Sequence, residues 1–158
     1  SEIVMETEVK DRIEEQLKNY PFLKSKIKIT TNQIAYQEDY AAQAIDYSKI
    51  PGGKTNSVYS DVEEFVQNKL DKHPELIELI MEKERIDAAL ECLNYKEKRL
   101  VRYKYFEDMT DNEVSDKMRE LELKTFSIRN DSTIRDYSST TIQRMKKKVL
   151  KKLQKVGL

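Results

Sequence analysis

Residues 48–57 read SKIPGGKTNS and hold two of the chain's three glycines and one of its three prolines. The rest of the 158 residues is almost free of backbone breakers. Charged residues make up 37% of the chain and apolar ones 38%. A chain so poor in Gly and Pro and so rich in straight-chain side chains commits itself to helices with long solvated faces. The expected fold class is all-α. The Pro-Gly-Gly stretch is expected to be a hinge or linker. A phosphate cradle at Gly-Gly-Lys is the competing reading, but the longer glycine loop and Lys-Ser/Thr pair of such cradles are missing. The expected organisation is an amino-terminal helical segment with its hinge over 1–57, central amphipathic helices over 58–93, and a carboxyl-terminal domain over 94–158.

Val9, Ile13 and Leu17 recur every four residues, which predicts a helix over 3–20 ended by Pro21. Weak alternation at Leu23, Ile27 and Ile29 reads as a loop or short extended segment. Residues 33–47 read as a helix with Tyr36, Tyr40, Ala44 and Tyr47 packed on one side. Ser60 and Glu63 form a capping box that opens a helix carrying Val62, Phe65, Val66 and Leu70. Pro74 either kinks that helix or starts a new one in its first turn, with His73 as a cap or surface residue. Leu76, Leu79, Lys83, Ile86, Leu90 and Leu93 then form a heptad-like seam with one polar position. It reads as a helix packed on its own domain, with a homodimer as second choice. Cys92, the only cysteine, reads as a small buried hydrophobe.

The formal net charge is zero, yet residues 137–158 carry seven positive side chains and no acid. The acids gather elsewhere: Asp61 to Glu91 hold ten against four basic residues. A bipolar chain of this kind suggests that its basic end meets a polyanion. One Cys and one His cannot make a structural zinc site alone, and no cofactor is expected. No apolar run approaches the roughly 20 residues that cross a bilayer. The first residues are acidic where a signal peptide would be basic, so a cytoplasmic protein is expected.

Three short amphipathic patterns follow one another from Asn94. Asn94 and Glu97 can cap the first, whose apolar face is Leu100, Val101, Tyr105 and Phe106. Thr110 and Glu113 can cap the second, with Val114, Met118 and Leu121 as its stripe. Ser138 or Ser139 can cap the third, with Ile142, Met145, Val149 and Leu153. Each is too short to stand alone, so the three are expected to share one core.

The string YKEKRLVRYKYFEDMTDNEVSDKM resembles the helix-turn-helix of sigma factor region four. Arg99-Leu100, Tyr105-Phe106, Thr110, Glu113 and Val114 fall on that pattern in order, with Ser115 where the family has alanine. SSTTIQRMKKKVLKKLQKVG is similar to the family's recognition helix at Ser138, Thr141, Ile142, Arg144, Lys148, Leu150, Lys152 and Leu153. Across its length the chain most resembles phage late-gene regulators of the ArpU and RinA type. The resemblance implies a carboxyl-terminal helix-turn-helix, promoter DNA as ligand and RNA polymerase as partner. Residues 122–137 depart from it, since such helices are normally joined by three or four residues. An inserted hairpin, an ordered loop and a disordered stretch are all open readings there.

The chemistry of the last helix fits double-stranded DNA. Opposite its apolar stripe lie Ser139, Thr140, Gln143, Arg144, Lys147 and Lys151. Gln pairs with adenine and Arg with guanine through two hydrogen bonds. Thr141 and Lys148 add a hydroxyl and a charge for phosphates. Thr110 and Asn112 would open the preceding helix against the DNA backbone, and Arg129 and Arg135 could reach phosphates. The expected function is a sequence-specific DNA-binding transcription regulator. The alternative is a helical interaction module, dimerising or binding RNA polymerase, with a solubilising tail. A membrane-surface helix is weakened by the lack of Trp or Phe on its apolar side. An enzyme is not expected, because no nucleophile, base or metal set is arranged in the sequence.

Overall fold

The computed structural model describes residues 2–43, 73–129 and 137–158, with side chains described except at 41–43 and 126–129. Every regular element among the described residues is helical: α1 Glu2–Gln43, α2 Pro74–Leu90, α3 Tyr95–Val101, α4 Asp111–Arg129 and α5 Ser139–Lys155. A π-helical turn, Arg102–Phe106, continues α3. The chain divides into two compact units. One comprises Ser1–Pro21 with Glu84–Leu158, the other Phe22–Lys83.

Helix starts follow the capping chemistry of the sequence. Asn94 Oδ1 accepts from Glu97 N at 2.9 Å, and Glu97 Oε1 accepts from Asn94 N at 3.1 Å, so two orphan donors of α3 are satisfied reciprocally. Thr110 Oγ1 accepts from Glu113 N at 3.3 Å at the head of α4, and Ser138 Oγ from Thr141 N at 3.3 Å at the head of α5. Pro74 opens α2, where its missing N–H costs nothing, and the His73 carbonyl accepts from Leu76 N at 3.0 Å. After the π turn the chain reverses at Asp108, whose φ of 52° is left-handed. Met109 N reaches back to the Tyr103 carbonyl at 3.0 Å. The end of α5 closes as a Schellman motif: Leu158 N donates to Leu153 O and Gly157 N to Gln154 O, both at 3.0 Å. Leu158 folds back and is itself buried.

The first unit is built from both ends of the chain. Its fully buried side chains are Ile13 and Leu17 of α1, Ile86 of α2, Leu100, Val101 and Tyr105 from α3 and its π turn, Val114 and Met118 of α4, Tyr137, and Ile142, Val149 and Leu153 of α5. Three polar ties fix α1 into this core. The Tyr105 hydroxyl donates to Glu14 Oε2 at 3.1 Å, Arg12 Nη2 to the Leu158 carbonyl at 3.3 Å, and the Tyr20 hydroxyl to Asp87 Oδ1. The Tyr20 ring stacks on Phe106 with centroids 4.8 Å apart. Burial, with the Asp87 carboxylate beside it, pushes the Tyr20 phenol up to about 12. The carboxyl-terminal core expected from three helices therefore holds five. In the second unit, Leu23 and Leu76 are buried, while Phe22, Ile29, Tyr36 and Tyr40 of α1 stay exposed.

Several expectations are corrected. Pro21 does not end the first helix: α1 runs through it and through residues 22–32, read from sequence as loop or extended. A proline removes one helix N–H and crowds the carbonyl four residues back, but the flanking turns are held by Leu17, Tyr20 and Leu23, all buried. The weak alternation at Leu23, Ile27 and Ile29 misled because Leu23 and Ile27 share one side of a helix with Thr30 and Ile34. Within 122–137, residues 122–129 continue α4 rather than forming a loop or hairpin, and residues 130–136 lie outside the described residues. Cys92 is exposed, in the turn after α2, because α2 ends at Leu90 and the buried stripe passes to Leu93. Of the heptad-like seam, Leu76, Ile86 and Leu93 are buried within the chain, and Leu79 and Leu90 are half-buried. The Pro51-Gly52-Gly53 hinge and the Ser60–Glu63 capping box lie outside the described residues.

Gly157 has φ +105°, and a Cβ there would meet nothing within 4 Å. Gly157→Ala is therefore expected to cost about 1–2 kcal/mol of backbone strain alone. Urea unfolding should show a lower midpoint with an unchanged slope.

Candidate nucleic-acid interface

At about 100° per residue, α5 sorts its side chains sharply. Ile142, Val149, Leu150 and Leu153 are buried. On the opposite arc lie Thr140, Arg144, Lys147, Lys148, Lys151 and Lys155, all exposed. None of these five cations has an ion pair with a described residue. The other two, Lys146 and Lys152, are half-buried and used inside the unit. A helix that spent its lysines on its own stability would pair them along its length. Here the paired and unpaired cations fall on different sides.

Three polar junctions set how α5 sits on α3 and α4. The first is at its head. Tyr137 is fully buried, its carbonyl accepts from the Ser115 hydroxyl, and its own hydroxyl donates to Glu122 Oε2 at 3.0 Å. Lys96 Nζ reaches the same carboxylate oxygen at 2.9 Å, joining α3 to the cluster. Burial, reinforced by Glu122, raises the Tyr137 phenol, and the contact with Glu122 raises Lys96. Ser115, which stands where alanine is usual in the resembled pattern, thus has a local reason: it satisfies a buried carbonyl.

The second junction is Asp111, in the first turn of α4. Its Oδ1 lies 2.8 Å from Lys104 Nζ and 3.9 Å from Lys146 Nζ, and its Oδ2 accepts from Gln143 Nε2 at 2.6 Å. The Lys104 contact, with Lys146 beside it, holds the Asp111 carboxyl below the usual carboxylate range. The third is Glu97, 4% exposed. Its Oε1 closes the α3 capping box and accepts from Lys152 Nζ at 2.7 Å. A carboxylate buried this far needs such partners, because leaving it unpaired costs several kcal/mol.

The expected contact residues divide accordingly. Thr110, Asn112, Ser139, Thr140, Gln143, Arg144, Lys147, Lys148 and Lys151 are exposed around α5 and the head of α4. Thr141 is half-buried and engaged in the cap, its hydroxyl 3.0 Å from Ser138 Oγ. Gln143 is tied to Asp111. Arg129 ends α4 with its side chain outside the described residues, and Arg135 lies outside them altogether. The sequence reading missed Asp111, Ser115, Glu122 and Tyr137. An acid directly after the Thr110 cap and the departure at Ser115 were the available signals.

Tyr95 and Arg99 form a further exposed pair on α3, the guanidinium 5.4 Å from the ring centroid. No described helix is long and apolar enough to cross a membrane. Comparison with protein-family models, curated proteins and solved structures gives no match.

Ser115→Ala leaves the Tyr137 carbonyl buried without its donor and should cost about 1–3 kcal/mol in chemical denaturation. Because its pKa is lower in the folded than in the unfolded chain, Asp111 contributes stability that is fully present above its ordinary pKa of 3.8. That contribution is lost as pH falls below this value through the depressed one. Asp111→Asn should accordingly flatten the acid limb of the stability–pH curve and leave its alkaline limb unchanged.

Proposed function

We propose that the chain is a sequence-specific double-stranded DNA-binding transcription regulator that reads its site with α5. One observation carries the reading: α5 turns Thr140, Arg144, Lys147, Lys148 and Lys151 outward on one arc while its aliphatic edge is buried. The α4 head lies beside it through the Asp111–Gln143 contact. Such a helix suits the major groove, with its first turns against base edges and its lysines along the phosphates. Thr110 and Asn112 belong on the DNA backbone. The resemblance to sigma region four and to phage late-gene regulators supports a helix-turn-helix that works with RNA polymerase in the cytoplasm of a bacterial host.

Binding should depend steeply on salt. With Lys147, Lys148, Lys151 and Lys155 on phosphates and Arg144 on a base, the logarithm of the association constant should fall against the logarithm of salt with a slope of about −3.6. Flat or absent binding to duplex DNA at low salt would remove the reading. Lys151→Ala should weaken specific and random DNA alike, whereas Arg144→Ala should cost about 1–3 kcal/mol on the preferred site and relax its choice of base.

A helical interaction module is the second reading, and a specific observation favours it. Phe22, Ile29, Tyr36 and Tyr40 are 58–74% exposed, and their spacing of seven, seven and four puts them along one side of α1. Ile29→Lys should abolish association measured by sedimentation if that side is the working surface, and change nothing if α5 is.

A further inference from the structure

Resting on the DNA reading, we infer that Asp111 is a positioning residue that fixes the Gln143 side-chain amide for recognition of adenine. A free glutamine amide can turn over, exchanging its acceptor and donor ends, and only its neighbours decide which way it faces. Here the neighbour is a carboxylate. Asp111 Oδ2 lies 2.6 Å from Gln143 Nε2. The turned-over amide would set Oε1 against a carboxylate oxygen, two acceptors with no proton between them. Nε2 carries two hydrogens. In the inferred arrangement the hydrogen trans to Oε1 goes to Asp111, which leaves the other beside Oε1 as an adjoining donor and acceptor.

That pair matches one base edge in the major groove. Adenine offers the N7 acceptor next to the N6 donor, whereas guanine offers two acceptors, N7 and O6. Against guanine, Oε1 would face O6. With the amide held, the order of donor and acceptor along the groove is held too, so the adenine is chosen on one strand.

The cluster is built to keep Asp111 charged and still. Lys104, from the π turn, sits 2.8 Å from Oδ1, and Lys146, one turn along α5 from Gln143, sits 3.9 Å from it. Asp111 is only 24% exposed, and Lys104 and Lys146 are 19% and 15% exposed. Two half-buried lysines thus offset the carboxylate, which would otherwise repel a phosphate backbone lying against Thr110 and Asn112. Gln143 itself is exposed, so its remaining amide edge is open to a ligand.

Selection of bound fragments from random duplex DNA by the full chain tests the inference, with wild type, Gln143→Ala, Asp111→Ala and the double variant compared. Wild type should select adenine at one position with a preference of about fivefold or more. Gln143→Ala and Asp111→Ala should each flatten that same position to about twofold or less, with the double variant no flatter than either and affinity for random DNA retained. A side-chain nitrogen–proton correlation spectrum of the free protein gives a readout that needs no DNA. The Gln143 amide proton directed at Asp111 should move upfield in the isosteric Asp111→Asn, which also serves if the alanine variant unfolds. A wild-type site that Asp111→Ala leaves unchanged, or a uniform loss of affinity on specific and random DNA, overturns the positioning role while leaving DNA binding intact. Selection of no DNA by wild type overturns both.

Discussion

The orientation of α5 depends on a buried tyrosine ahead of its first turn. Tyr137 offers α4 two handles, a carbonyl to Ser115 and a hydroxyl to Glu122, and Lys96 ties the second to α3. A helix joined to its neighbour by a long connection has no short turn to set its angle. Here the angle is set from outside the connection. Tyr137 fixes the head, Asp111 takes hold at Gln143 and Lys146, and Glu97 takes hold at Lys152. The Schellman turn then buries Leu158, whose carbonyl accepts from Arg12. Four attachments along 22 residues do the work of a tight turn.

These attachments also divide the charge. Of the seven cations after Tyr137, Lys146 and Lys152 meet half-buried or buried carboxylates, and both contacts join α5 to another helix. The remaining five leave on the outward arc. The partition follows from helical geometry: Lys146 and Lys152 flank the buried Ile142, Val149 and Leu153, so their stems lie along the core while their ammonium groups reach its rim. The outward five have no such route. A uniform run of lysines in the sequence is thus two populations in space, one that builds and one that faces solvent.

The caps at Asn94, Thr110 and Ser138 were legible because capping is local: the partner lies three residues away and the residue types are few. So were the stripes of α4 and α5, whose apolar positions repeat every three or four residues. What could not be read was long-range. Nothing in Val9, Ile13 and Leu17 says that their partners lie beyond residue 84, and Pro21 invited a break that buried neighbours override. The candidate interface was half legible. Its exposed cations follow from period and charge, but Asp111 was one acid among many until Lys104, Lys146 and Gln143 converged on it. Ser115 was visible as an irregularity, yet its cause, the Tyr137 carbonyl, is 22 residues away.

The first unit is stitched from the two extremities of the chain: Glu14 meets Tyr105 across 91 positions and Arg12 meets Leu158 across 146. On the ribosome, residues 1–21 emerge long before anything they can pack against. Ile13, Leu17 and Tyr20 must wait for residues 84–158 to be made before they can be buried. Closing so large a loop is slow, and a nascent chain stalled before α5 leaves that apolar side open to chaperones. The unit carrying α5 thus assembles only once residues 84–158 have followed residues 1–21, so a translation product cut short within α5 cannot display the cationic arc.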